Sequence, residues 1–304
     1  MPGEQGLMRG ERFGRSMRFA PECVPCLLNR VIYETELVDP RKATETVDAS
    51  LRMIAGADWR NTNSARLASK VHRRVYELVA SSDPYRDLKL RSDSEAEKLF
   101  AKAKKFVEES NDRLEAAVLC AIAGNVLDFG IDVGIESPEQ LGRKLELIVA
   151  EGLAVNDLPL AKKVLSHSSK VVYLLDNCGE SVFDRLLVKE IGRLGPKVVG
   201  VAKGQPILTD VTLDDAKRVH LDSCFDEMLT TEQFAVGVDL ASTSSRLRDE
   251  IDKADLVISK GMANFESLSD EPIRPILYLM RAKCGPVARA IGAKRNDNVA
   301  RLVS

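Results

Sequence analysis

Lys170-Val171-Val172-Tyr173-Leu174-Leu175-Asp176-Asn177-Cys178-Gly179-Glu180-Ser181 decides the fold. The run from Lys170 to Leu175 is β-branched and apolar without alternation, which suits a strand covered on both faces, the condition of a parallel sheet. Ser181 to Ile191 reads as the helix that follows it. Asp176 and Asn177 then stand at the carboxyl end of a parallel strand. Open α/β sheets place their ligands at that edge.

The same arrangement repeats downstream. Lys197 to Lys203 leads into Gly204-Gln205-Pro206-Ile207-Leu208-Thr209-Asp210, and Asp255 to Ser259 leads into Lys260-Gly261-Met262-Ala263-Asn264-Phe265-Glu266. A fourth strand, Pro275 to Met280, ends near Arg281, Lys283 and Cys284. Intervening helices such as Ser245 to Ala254 make these strands parallel, so their tips share one rim. That rim carries carboxylates, amides and lysines together. Such a set suits a divalent cation beside a phosphate.

The first half has a different periodicity. Helical spacing runs over Cys23–Leu37, Arg41–Ala55, Ser64–Val79, Ser94–Glu109, Arg113–Leu127, Pro138–Glu151 and Leu158–Ser166. Asp83-Pro84 and Ser137-Pro138 mark boundaries, because a residue before proline leaves the α region. The expected organisation is a loose Gly-, Arg- and Glu-rich tail over residues 1–16, with Met17 a candidate start, then an all-helical domain over 17–166 and an α/β domain over 167–304. The two pack with the site between them. Leu114 to Ala123 is apolar nearly all round and gives way to Gly124-Asn125-Val126-Leu127-Asp128. Asn125 and Asp128 share a face if the helix continues; otherwise the segment is a helix end capped by Asn and Gly.

The 304 residues suffice for about two domains. A formal charge of −2 and a sequence pI near 6.1 give no electrostatic reason to expect nucleic acid or a membrane surface. No apolar run approaches the roughly 20 residues of a membrane span, and the amino-terminal segment lacks the apolar stretch of a secretory signal. The expected location is the cytoplasm, with the six cysteines reduced. Cys23-Val24-Pro25-Cys26 is the one C-x-x-C. It lacks the second pair of a zinc ribbon, and structural, metal-binding and redox readings of it stay open.

Several chemistries are absent from the motifs. There is no G-x-x-x-x-G-K-[ST], no G-x-G-x-x-G after a strand and no G-x-S-x-G elbow. A covalent aspartyl-phosphate is disfavoured, because Cys178 stands where the haloacid-type phosphatases carry a second Asp. His72, His167 and His220 share no metal-ligand spacing and read as surface or core residues. What remains is a hard-cation site of oxygen ligands, for which a phosphate is the natural partner.

Gly124-Asn125 with Asp128, Asp176-Asn177-Cys178-Gly179-Glu180, Pro206 to Thr212, and Lys260 to Glu266, in that order and spacing, resemble the metal-dependent damage-control phosphatase family, long catalogued as domain of unknown function 89. The resemblance runs from about Cys23 to the carboxyl end. The amino-terminal C-x-x-C and the cysteine of the Asp-Asn loop look like the archaeal and bacterial branch. The resemblance implies a multidomain α and α/β protein, an N-terminal all-helical domain packed on a C-terminal Rossmann-like α/β/α sandwich with a mostly parallel sheet. It implies hydrolysis of small phosphomonoesters such as damaged or surplus sugar or cofactor phosphates, with a divalent cation (Mg, Mn, Co or Ni).

Carried over residue by residue, Asp176, Asn177 and Asp210 become metal ligands, and Lys260 meets the phosphate. Asn125 and Asp128 line the pocket from the helical side, with Glu180 and Asn264 as further substrate-binding candidates. Asp176, Lys260 and Asp128 are the catalytic candidates, and the sequence leaves open which carboxylate takes the proton of the attacking water. Gly261-Met262 stands where eukaryotic relatives have Gly-Asp, so their pocket details do not transfer. Two rivals stay open: an S-adenosylmethionine-dependent carboxyl methyltransferase, which the missing glycine-rich cofactor loop disfavours, and a non-enzymatic metal-binding or redox protein built on Cys23 and Cys26.

Overall fold

The computed structural model describes residues 17–127 and 138–304. The expected tail of residues 1–16 and the candidate Asp128 lie outside the described residues. The helical half contains α1 (Cys23–Glu36), α2 (Ala43–Ala55), α3 (Ser64–Val79), α4 (Arg86–Glu109), α5 (Arg113–Ala123) and α6 (Pro138–Ala150). The α/β half runs β1 (Val155–Asn156), α7 (Leu158–Leu165), β2 (Lys170–Leu174), α8 (Glu180–Gly192), β3 (Lys197–Ala202), α9 (Leu213–Arg218), β4 (Glu227–Thr230), α10 (Ser245–Asp252), β5 (Leu256–Lys260), α11 (Gly261–Leu268), β6 (Ile276–Arg281), α12 (Gly285–Ile291) and β7 (Asn298–Val303).

The seven strands form one sheet in the order β1-β7-β6-β5-β2-β3-β4. Every pairing is parallel except β6 with β7. Successive side chains of a strand point to opposite faces, and each central strand feeds two cores. Val171 and Tyr173 of β2, Ile258 of β5 and Leu279 of β6 pack with α5 and α8 on one face. Val172 and Leu174, Val257 and Tyr278 pack with residues of α10, α11 and α12 on the other. The expected mostly parallel sheet between helical layers is therefore the observed fold.

Leu114 and every residue from Ala116 to Ala123 are buried, which is why α5 reads as apolar all round. The helix ends at Ala123, and Gly124–Leu127 tightens into a 3-10 turn instead of extending the α-helix to Leu127. Gly124 lies against α8: a Cβ there would stand 2.7 Å from the Phe183 ring and 3.0 Å from Glu180 Cα. A third core joins Leu27 and Val31 of α1, Ile54 of α2 and Leu67, Val71 and Val75 of α3. A fourth joins Tyr76 and Tyr85 to Ile207 and Phe234, where the helical half meets the loops of the sheet.

Candidate active site

Strand order reverses at β2. β3 and β4 lie on one side of it and β5, β6 and β7 on the other, so the crevice of the fold opens at the carboxyl ends of β2 and β5. Asp176 follows β2, Asp210 follows β3, and Gly261 opens α11 directly after β5. Gly261 has φ +75°, and a Cβ on it would stand 1.9 Å from Asp176 Oδ2. The tip of β5 is thus pressed onto the Asp176 carboxylate.

The two loops that carry Asp176, Asn177 and Asp210 are sewn together through the backbone. Cys178 N donates to Thr209 O at 2.8 Å and Val211 N to Asp176 O at 2.8 Å, and Asn177 faces Asp210 as an antiparallel pair. Asp176 and Asp210 are both buried. Asn177 Nδ2 donates to Asp176 Oδ2 at 2.7 Å, while its Oδ1 accepts from Thr209 Oγ1 at 2.9 Å and keeps a second lone pair. Burial first, then the charges of Glu180 and Asp210, push the Asp176 carboxyl well above the usual carboxylate range. Two desolvated carboxylates repelling each other beside an amide oxygen fit a hard divalent cation, which would relieve that repulsion. Among the described residues, no three His, Cys, Asp or Glu side chains stand together as metal ligands. The candidate donor set here is two carboxylates and an amide.

A buried lysine that the sequence reading left without a role supports Asp210. Lys203, at the end of β3, places Nζ 3.3 Å from Asp210 Oδ2 and donates to Gly237 O at 2.6 Å and Asn264 Oδ1 at 3.3 Å. Its signal was its position, since it directly follows β3 while Lys260 ends β5. Asn264 is fully buried and clamps the strand ends, donating from Nδ2 to Leu175 O at 2.9 Å and Lys260 O at 2.8 Å.

Lys260 is placed differently from the expected phosphate contact. It is 0% exposed, and its Nζ donates to Glu180 Oε1 at 2.5 Å, Asp184 Oδ1 at 2.7 Å and Ala121 O at 3.2 Å. Burial alone would lower its pKa, but Asp184 and Glu180 outweigh it and hold the ammonium above its ordinary value. Tyr173 Oη donates to the same Asp184 Oδ1 at 2.7 Å. Glu180 Oε2 accepts from Asn125 Nδ2 at 2.5 Å, so one chain of bonds runs from Asn125 through Glu180 and Lys260 to Asp184. Burial raises the Glu180 carboxyl against the pull of Lys260.

A cavity of about 990 Å³ opens above these groups, lined by Asn125, Asp176, Asn177, Glu180, Thr209 and Asp210 on its floor. Neither Lys260 nor Asn264 is among its lining residues. Arg281 and Lys283, at the tip of β6, do line it. Lys283 Nζ donates to Asn125 O at 3.1 Å, and Arg281 NH1 to Glu151 Oε2 at 2.6 Å and Asn298 Oδ1 at 2.9 Å. His72 also reaches the cavity wall, with Nδ1 held 2.9 Å from both Glu34 oxygens.

Cys23 and Cys26 line the cavity too, joined from the other half by Cys284. All are free thiols. Burial raises each of them, and each thiol adds to the rise at Cys284, which is pushed up to about 11. Cys178 is instead buried beneath the Asp176 loop, its thiol pushed well up by burial, as a small packed side chain would be.

Residues 19–299 match the damage-control phosphatase ARMT1-like domain. A protein of Archaeoglobus fulgidus named damage-control phosphatase is 41% identical over 289 residues, covering 94% of this chain and 100% of that one. A damage-control phosphatase of Pyrococcus horikoshii is 31% identical over 280 residues, covering 90% and 94%. The crystal structure of a DUF89 family protein from P. horikoshii superposes with a TM-score of 0.85 at 28% identity, covering 94% of this chain and 99% of that chain. None of these likenesses supports the methyltransferase or the thiol-based reading.

Proposed function

This chain belongs to the damage-control phosphatase ARMT1-like family, and from that premise we propose that it hydrolyses small phosphomonoesters with a divalent cation (Mg, Mn, Co or Ni) held by Asp176, Asn177 and Asp210. The observation that carries the reading is the convergence of two buried carboxylates and an amide at the switch point of the sheet, beneath a cavity of about 990 Å³ with cations on its wall. The cation supplies Lewis-acid polarisation of the phosphoryl group and a more acidic attacking water. Everything else falls to the chain. Lys203 neutralises and orients Asp210, and Gly261 keeps Asp176 packed in place. Lys283, whose Nζ donates to the Asn125 carbonyl, brings a positive charge to the phosphate. Lys260 acts one step back, holding Glu180 toward the cavity. Asp176 and Glu180 are the floor carboxylates available to take the proton of the water.

The cavity suits a phosphorylated metabolite such as a sugar or cofactor phosphate, with the organic part facing the wall formed by α1, α3 and α12. Hydrolysis of an aryl phosphate should require added cation, and Asp176→Ala and Asp210→Ala should each lower kcat/KM by at least about 10²-fold at saturating metal. Asn177→Asp, which keeps an oxygen at the same reach and adds charge, should retain some metal binding with an altered preference among cations. Full activity in EDTA, or in either alanine variant, overturns the assignment.

A further inference from the structure

The loops that carry Asp176, Asn177 and Asp210 are each gripped from the helical half, at points two residues from a ligand. Gly179, two residues past Asn177, has φ +78° and ψ −58°, a backbone shape that only glycine adopts easily. Its N–H donates to Asp93 Oδ1 of α4 at 2.7 Å. The other oxygen of Asp93 accepts from Arg218 Nε at 3.0 Å and NH2 at 2.5 Å, so the carboxylate is fixed from both ends. It is 4% exposed.

Leu208, two residues before Asp210, has φ +48°, a conformation that costs a residue with a side chain on the order of 1 kcal/mol and persists where its surroundings impose it. Its N–H donates to Tyr76 Oη of α3 at 2.9 Å. Thr212, two residues past Asp210, donates to Asp215 Oδ2 from N at 3.0 Å and from Oγ1 at 2.7 Å. That same oxygen takes Lys89 Nζ of α4 at 3.1 Å. Lys89 and Asp93 lie one turn apart on the buried face of α4.

We propose that Asp93 and Tyr76 are positioning residues of the metal site: the helical half sets the distance between the Asp176-Asn177 loop and Asp210 by holding Gly179 and Leu208. The inference rests on the metal-site reading above. It goes further in assigning the helical half a role in metal affinity, beyond walling the cavity. Because Cys178 N and Val211 N tie the two loops to each other, a shift at Gly179 is passed to Asp210. Partners one layer behind metal ligands typically set about 10- to 100-fold in affinity or activity.

The test uses the full chain and Mn²⁺ alone as probe, with free Mn²⁺ read by its paramagnetic resonance, alongside thermal unfolding and aryl-phosphate kinetics. Asp93→Ala should raise the Mn²⁺ Kd about 10-fold and lower kcat, while KM at saturating Mn²⁺ stays within about twofold. Asp93→Asn keeps an oxygen for the Gly179 N–H and loses the charge facing Arg218; it should restore most of the affinity even if its unfolding temperature stays low. A merely structural Asp93 would show the opposite order, with stability and not metal affinity following the variants. Tyr76→Phe removes one oxygen and serves if Asp93→Ala does not fold; its Kd should rise by about threefold or more. Parent-like Mn²⁺ binding in folded Asp93→Ala and Tyr76→Phe overturns the proposal while leaving the metal site standing. A parent chain that binds no Mn²⁺ overturns both.

Discussion

Lys260 joins two carboxylates, Glu180 and Asp184, that lie one turn apart on α8 and both face back toward the strand. All three groups are buried, and removing one partner of such a set leaves uncompensated charge in a low-dielectric interior. Lys260→Ala should therefore destabilise the fold by about 3–5 kcal/mol, read as a lowered urea midpoint at unchanged slope. A side chain acting only on the phosphate would lower turnover and leave that midpoint where it was. The sequence places Lys260 at the correct rim but not in the correct direction, because a strand tip fixes where a side chain begins and not what it meets. The available signal was the i, i+4 pair of acids on α8, which a buried cation explains better than solvent does. Asp176 and Asp210 stand on loops beyond β2 and β3, and both line the cavity.

The turn from β5 into α11 is the element on which the floor of the site depends. Gly261 needs φ +75°, and any Cβ there overlaps the Asp176 carboxylate, so Gly261→Ala should displace that side chain, abolish cation-dependent phosphatase activity and lower the unfolding temperature by several degrees. Gly192 is the control: its Cβ would meet nothing within 4 Å, and Gly192→Ala should keep activity at about the parental level. An active, parent-stable Gly261→Ala protein contradicts the packing described. The strands that frame this turn, β2, β3, β5 and β6, were legible because burial on both faces makes them continuously apolar. β1 and β4 lie at the sheet edges and β7 is partly exposed, so each carries mixed residues that imitate a loop. α4 was expected from Ser94 and begins at Arg86. Its first turns bury Lys89, Ser92 and Asp93, and a polar buried face carries no hydrophobic period. The misread turns carry the grip on Gly179.

At the scale of the molecule, the two halves are joined by a partly buried ionic network as well as by apolar packing. Lys89 lies 2.8 Å from Asp83 and 3.1 Å from Asp215, and Arg218 lies 2.8 Å from Asp215 and 2.5 Å from Asp93. Burial would raise the Asp215 carboxyl, but Lys89, the bonds from Thr212 and Arg218 outweigh it and hold it below its ordinary value of 3.8. Asp93 goes the other way, raised by its burial. A carboxylate whose pKa is lower in the folded than in the unfolded chain contributes stability that is fully present above the unfolded value and is lost as pH falls toward the folded one. The urea midpoint of the parent should thus exceed that of Asp215→Asn by the same amount at pH 7 and pH 5. Below about pH 4 the gap should close, because Asp215 of the unfolded parent is then protonated and its ionisation must be given up in the folded chain too. Asp215 adds to the rise at Asp93, so the pair is compared in a shared Asp93→Asn background, where only Asp215 generates the difference. A gap that stays constant from pH 7 to pH 3 would show that Asp215 stabilises through its shape and hydrogen bonds alone, and that the charge of Lys89 is not what couples the helical half to the sheet.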